Sequence, residues 1–175
     1  GKGDVYAGHS VMAIVPHQDD DINIAGGVLE QYIKYGSEVY LVFVTNGDYY
    51  GIGETRIAEA LEYGRSIGID GEHVIFLGYG DQWSGEGPHI YNAPAGQQLV
   101  SAAGHSATYG SAGHPAYNMG RAYTSDNLLG DIKSVILEYS PDIILCSDYD
   151  SHIHHKAVSF FFEKAMGEIL KAKPG

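Results

Sequence analysis

The sequence predicts an α/β fold, a mostly parallel sheet with helices on both faces in three α/β/α layers, and three observations lead there. Apolar runs of strand length alternate with stretches of helical period, turn signals separate them, and the runs are continuous. A strand covered on both faces has no wet side and needs no polar alternation, which is the mark of a parallel sheet between helices.

The elements follow in order. VMAIV (11–15) reads as a buried strand. GGVLEQYIKYG (26–36) continues as a helix with Val28, Leu29, Tyr32 and Ile33 on one face and a glycine stop. EVYLVFVTNGD (38–48) is a second strand closed by a turn signal, and ETRIAEALEYGRSIG (54–68) is a helix with Ile57, Ala60, Leu61 and Gly64 on its apolar face. HVIFLGYG (73–80) supplies a third strand. SDNLLGDIKSVILEYS (125–140) opens on a Ser or Asp cap and carries Leu128, Leu129, Ile132, Val135, Ile136 and Tyr139. Pro141 ends that helix, and DIILCSD (142–148) is the fourth strand. Val158, Phe161, Phe162, Ala165 and Ile169 form a last helical stripe, read as core packing.

Composition sets the bounds. With 175 residues, 44% hydrophobic and 18% charged, one domain spanning 1–175 can bury a sizeable core. A net charge of -12 with only 10 Lys and Arg argues against nucleic acid or an anionic membrane as partner and suits a neutral or cationic small molecule. No run approaches the roughly 18 apolar residues of a membrane span, so a soluble chain is expected. The single cysteine, Cys146, reads as a small core residue; it excludes a disulfide framework and leaves the compartment open, with a cytoplasmic setting expected for the chain as given. Nothing in the sequence addresses the oligomeric state.

From Asp81 to Tyr123 the chain is rich in Gly, Ala, Ser, Tyr and His and has no sustained period, so it is expected to form a substrate or lid loop. Trp83, Tyr91, Tyr109 and Tyr117 offer faces that can stack on a sugar ring, or can simply pack over the sheet edge. Arg121 suits an anionic group of a substrate or a salt bridge equally well. His89, His105 and His114 are read as non-ligands. The G-x-G at 51–53 has neither a Walker lysine nor the dinucleotide fingerprint and is a turn.

In parallel sheets, ligands bind beyond the carboxyl ends of the strands. PHQDDD (16–21) follows the first strand and DYDSHIHH (148–155) the fourth. His17 and Asp20 are three residues apart, as are His152 and His155, so each pair lies on one side if the chain turns helically there. Alone, the first motif is equally an acidic capping turn and the second a surface helix start. Placed together at two strand ends, they read as a metal site: an imidazole from each cluster plus one carboxylate, with a fourth position for water. A metal lowers the pKa of that water towards about 7, and a second carboxylate takes its proton, which explains why more than one aspartate is present.

These motifs, with TNGD (45–48), R-x-x-E-A (Arg56, Glu59, Ala60), FLGYGD (76–81) and DSHIHHKAV (150–158), occur in the order seen in the LmbE-like, or PIG-L, zinc-dependent de-N-acetylases, which the chain resembles over nearly its whole length. The resemblance implies a Rossmann-like fold, one Zn2+ per chain, and hydrolysis of the N-acetyl group of a small-molecule, N-acetylglucosamine-containing or related amino-sugar conjugate. It implies His17, Asp20 and His155 as zinc ligands, Asp19 as general base, and His152 as the group that stabilises the oxyanion or protonates the amine. Arg56, Asp81, Trp83, Arg121 and Asp150 are candidate substrate-binding residues. The chemistry fits, because amide hydrolysis needs a generated nucleophile, a stabilised oxyanion and a proton for the departing nitrogen.

Three departures from the family pattern stand out. Gln18 replaces a proline that shapes the loop, Asp21 replaces a glutamate and is one methylene shorter, and His154 stands where an aspartate usually orients the histidine matched by His152. The last puts the tautomer of His152 in question unless Asp148 or Asp150 substitutes. Other expectations therefore stay open: a metal-dependent amidase of a small non-sugar metabolite, and a carbohydrate-binding domain without turnover. The chain also ends one helix after the second motif, where family members commonly continue through further strands. A trimmed chain, a compact variant or a piece of a larger assembly would each look this way.

Overall fold

The structure is a computed structural model that describes residues 1–17, 22–49, 52–82, 88–146 and 166–171. A short helix α1 (Lys2–Tyr6) leads into β1 (Ser10–Val15), α2 (Ile22–Lys34), β2 (Glu38–Thr45) and α3 (Gly53–Ile67). A 3₁₀ turn (Gly71–His73) then enters β3 (Val74–Tyr79), and after the long segment come α4 (Ser125–Tyr139) and β4 (Ile143–Cys146). Residues 166–171 are helical.

The sheet is all parallel, in the order β3-β2-β1-β4. The chain builds outward from β1 to β3, then crosses back to lay β4 on the other side of β1. The strand order therefore reverses between β1 and β4, where such sheets open a crevice for ligands. In register, Val11 faces Ile143 and Ile14 faces Cys146, so the chain leaves β4 at the same end of the sheet as it leaves β1.

Alternating side chains divide the interior into two cores. Val11, Ala13, Val15, Leu41, Phe43 and Phe76 point to one face and pack with Leu29 and Tyr32 of α2 and Ile57 and Ala60 of α3. Met12, Ile14, Val42, Val44, Ile75 and Leu77 point to the other, against Leu128, Ile132, Val135 and Ile136 of α4, with Ile169 beside them. This is the three-layer α/β/α arrangement, and it explains the unbroken apolar strands. Ile169 joins the core as its stripe predicts, while residues 158–165 of that stripe lie outside the described residues.

Local chemistry sets the helix ends. α3 stops where Gly68 turns left-handed at φ 97°, with Gly68 N–H donating to Arg65 O (3.1 Å) and Ile69 N–H to Gly64 O (2.7 Å). α4 is capped by Thr124, whose hydroxyl accepts from Asn127 N–H at 3.2 Å, one residue before the Ser or Asp cap expected. Ser125 is instead inside the first turn, donating to Ala93 O at 2.8 Å. Two further expectations are corrected. Val28 is exposed at 41%, because Leu29 and Tyr32 take the sheet-facing direction of α2. Cys146 is half-buried, since the sheet places it on β4, which pairs with β1 alone among the described strands.

Among its described residues the aperiodic segment forms no helix or strand beyond an isolated antiparallel bridge between Ala107 and Ala122. Leu99 N–H donates to Tyr123 O (2.8 Å), Tyr123 N–H to Ser106 O (2.9 Å) and Thr108 N–H to Arg121 O (2.8 Å), folding 99–123 back on itself. It also seals the open edge of β3: Tyr117 N–H donates to Phe76 O at 2.7 Å and Tyr109 N–H to Gly78 O at 2.9 Å. Gly78, at φ 84°, sits where the β2–β3 register shifts, and a built Cβ there would strike Ala116 and lie 2.8 Å from Tyr109 O.

Candidate active site

The carboxyl ends of β1, β2 and β3 carry a connected polar cluster. Beyond β1, Pro16 O accepts from the backbone N–H of Thr45 (2.7 Å) and from its hydroxyl (3.0 Å), which fixes the chain one residue before His17. His17 is half-buried. The Thr45 hydroxyl also bonds the carboxylate of Asp81, which follows β3. Burial pushes the Asp81 carboxyl above the ordinary aspartate value, while the neighbouring His17 charge and the Thr45 hydroxyl pull it back.

Asp48 closes the turn after β2 and is fully buried. Its Oδ1 accepts from Asp81 N–H at 2.7 Å, and its Oδ2 accepts from the Tyr109 hydroxyl. His105 Nε2 lies 3.9 Å from the same Oδ2, and the His105 ring stacks on Tyr109 with centroids 3.9 Å apart. Burial, then the bond to Asp48, raises the Tyr109 hydroxyl above its usual range. Asn46 Nδ2 donates to Tyr109 O at 2.8 Å, so the TNGD turn holds this tyrosine by both side chain and backbone. Gly80 lets the segment come close: a Cβ there would lie 2.5 Å from the Ser101 side chain, and Tyr123 donates to Gly80 O at 2.5 Å.

The remaining candidates are placed unevenly. Arg56 Nε donates to Gly47 O at 3.2 Å and its Nη1 meets Glu59 at 3.0 Å, so the R-x-x-E pair braces the same turn from α3. Tyr91 is close enough to Asp81 for the carboxylate charge to add to the effect of burial on its hydroxyl, both raising it. Tyr117 packs instead on the α4 side of the sheet, near Glu138. Arg121 faces a buried carboxylate, with Nε 3.2 Å from Asp131 Oδ1; Asp131 also accepts from Tyr79 (2.6 Å) and Asn118 (2.7 Å). Asp19, Asp20, Trp83, Asp150, His152 and His155 lie outside the described residues. Among the described residues, no three His, Cys, Asp or Glu side chains are grouped to hold a metal, and His17 is the one expected ligand they include.

Sequence reasoning missed the roles of Thr45, Asp48 and His105. TNGD at a strand end was a signal for the first two, whereas His105 carried none.

Fold and site together define a class: an α/β protein whose polar residues gather at the carboxyl ends of a parallel sheet, beside its switch point. The chain belongs to the PIG-L family, GlcNAc-PI de-N-acetylase, whose model matches residues 12–166. Over 66 residues it is 29% identical to a probable N-acetylglucosaminyl-phosphatidylinositol de-N-acetylase of Dictyostelium discoideum, covering 38% of this chain and 26% of that protein. Its fold is that of N,N'-diacetylchitobiose deacetylase from Pyrococcus horikoshii (TM-score 0.60, 19% identity, 91% of this chain and 49% of that one). It is also that of a deacetylase of the teicoplanin biosynthesis pathway (TM-score 0.58, 19% identity, 92% and 64%). The chain thus spans about a quarter of the length of the curated relative and half to two thirds of the solved ones. Among the described residues no helix is long and apolar enough to cross a membrane.

Proposed function

We propose that this chain forms the active site of a zinc-dependent hydrolase that removes the N-acetyl group from an amino-sugar conjugate. One observation carries the reading. His17 leaves β1 next to Asp81 and Thr45, and the second histidine motif follows β4, the neighbouring strand that ends on the same side of the sheet. The relatives' names, a de-N-acetylase of an N-acetylglucosaminyl lipid and a diacetylchitobiose deacetylase, point to the same bond.

The donor set fits zinc: two imidazoles, His17 and His155, with the Asp20 carboxylate, a nitrogen and oxygen set of borderline softness in an acidic chain. When bound, zinc would polarise the acetyl carbonyl and acidify a water towards a pKa of about 7. Asp19 accepts the proton of the attacking water. His152 donates a hydrogen bond to the oxyanion on the acetyl carbon and then a proton to the departing nitrogen, leaving acetate and a free amine. Asp81, tied by Thr45 and by its own N–H to Asp48, holds one wall of the cleft against a sugar hydroxyl. Arg56 keeps the TNGD turn in place.

The test is elemental analysis of the wild type and His17→Ala, with acetate release from N-acetylglucosamine derivatives measured on the same samples. About one zinc per chain, lost with the histidine together with acetate release, is the expected result; a wild type that takes up no zinc on reconstitution would sink the reading. His154, in place of an orienting carboxylate, favours a second reading, binding of the sugar without turnover, which would show as zinc and sugar binding without acetate.

A further inference from the structure

The aperiodic segment brings one imidazole to the strand ends that no motif announces. The backbone of His105 is anchored twice on Ser101, and the turn between them once on Asp81. Its N–H donates to Ser101 Oγ (3.0 Å), its carbonyl accepts from Ser101 N–H (2.8 Å), and Ala102 N–H donates to Asp81 O (2.7 Å). Its ring is anchored as well, stacked on Tyr109 at 3.9 Å and 21°, with Nε2 facing the buried Asp48 carboxylate. Tyr109 is in turn fixed by its hydroxyl on Asp48 and by Asn46 and Gly78 on its backbone. Yet the His105 side chain remains 42% exposed.

The hydrogen bonds fix the backbone of His105, and the stack on Tyr109 beside the Asp48 carboxylate restricts its ring while one surface stays open. That is what a preorganised contact requires. The exposed imidazole edge offers ring nitrogens that can pair with a hydroxyl. A hydroxyl-bearing ring supplies both a donor and an acceptor to such an edge, and its C–H face suits the aromatic stack.

We propose that His105, held by Tyr109 and Asp48, is a substrate-contacting residue that selects for a hydroxylated sugar ring on the molecule whose acetamide is cleaved. The inference rests on the deacetylase reading for the bond that is cut, but the contact is one of binding. Tyr109 and Asp48 are positioning residues that act through His105.

The experiment compares wild type, His105→Ala, His105→Gln and Tyr109→Phe, each checked for zinc content and for a native circular dichroism spectrum. Binding of methyl glucosaminide, the product analogue, is measured by calorimetry, and KM and kcat are measured for methyl N-acetylglucosaminide and for a ring-free N-acetyl amine. His105→Ala is expected to weaken glucosaminide binding and raise KM for the sugar on the order of tenfold, the size of one hydrogen bond. It leaves kcat, zinc content and the ring-free substrate unaffected. Glutamine restores part of the loss, and Tyr109→Phe shifts sugar binding the same way by freeing the ring. If the wild type binds sugar through His105 but releases no acetate, the deacetylase reading falls and this inference stands. If His105→Ala binds as tightly as wild type, if it loses zinc, or if the wild type does not bind the glucosaminide, the inference is overturned.

Discussion

Removing the Tyr79 hydroxyl tests how the long segment is fastened to the sheet. Tyr79 ends β3 fully buried, and its hydroxyl donates at 2.6 Å to Asp131, a fully buried carboxylate on α4. Asn118 (2.7 Å) and Arg121 (3.2 Å) reach the same carboxylate from the segment, so three parts of the fold meet on one side chain. Tyr79→Phe keeps the ring and its packing on Tyr123, at 5.7 Å between centroids, and removes only the donor. A hydrogen bond to a charged group is worth about 1.5–3 kcal/mol. At about 2–4 °C per kcal/mol for a chain of this size, the melting temperature falls by roughly 3–12 °C. Asp131→Ala leaves the buried Tyr79 hydroxyl, the half-buried Asn118 amide and the Arg121 guanidinium facing no carboxylate, and should cost about 2–4 kcal/mol. The decisive measurement is the cycle, by urea unfolding followed by circular dichroism. In the Asp131→Ala background the Tyr79 hydroxyl has lost its acceptor, so deleting it should cost almost nothing, a coupling of about 1 kcal/mol or more. A Tyr79→Phe protein as stable as wild type, or two substitutions whose costs simply add, would refute the reasoning.

Other outcomes follow from the same structure. Burial holds the Asp131 carboxyl above the ordinary aspartate value, so the folded chain binds that proton more tightly than the unfolded chain, and stability falls as pH rises from the ordinary value through the raised one. Asp131→Asn should remove that slope from the pH dependence of the urea midpoint. Gly78→Ala places a Cβ against Ala116 and Tyr109 O at a left-handed position, with an expected loss of roughly 2–4 kcal/mol by the same unfolding assay. Thr124→Ala removes the α4 cap and should cost about 1 kcal/mol. If the proposed zinc site forms, chelation should lower the melting temperature and zinc restore it, a stabilisation of about 2.7 kcal/mol at a hundredfold excess over Kd. His17→Ala should abolish the response.

The sheet was legible because strands buried on both faces write themselves as unbroken apolar runs: VMAIV, EVYLVFVTNGD and HVIFLGYG hold β1, β2 and β3, with the second strand stopping at Thr45 before the NGD turn. Helix faces were legible except at their margins, where Val28 fell on the solvent side of a stripe that Leu29 and Tyr32 bury and Ile33 flanks. The α4 cap was displaced by one residue because Thr124, Ser125 and Asp126 are all capping types and only the backbone decides among them. The polar cluster at the strand ends was legible only where it is local. His17 beside a strand end could be read from six residues, but the partner of Asp48 stands 61 positions away, in a segment with no period to mark which tyrosine would turn inward. Strand order was equally hidden, since apolar runs specify burial and not neighbours. The adjacency of β1 and β4 comes from the crossover, and the chain leaves both strands at one end of the sheet.

The long segment is joined to β3 through main-chain amides, Tyr117 N–H on Phe76 O and Tyr109 N–H on Gly78 O. Such bonds do not depend on which side chains the segment carries. A lineage can therefore exchange residues of the segment other than Tyr109, Asn118, Arg121 and Tyr123, whose side chains also reach into the fold, without undoing the attachment. The price of that freedom falls on two glycines, Gly78 and Gly80, where the overhang touches the sheet and a single methyl group would push it away.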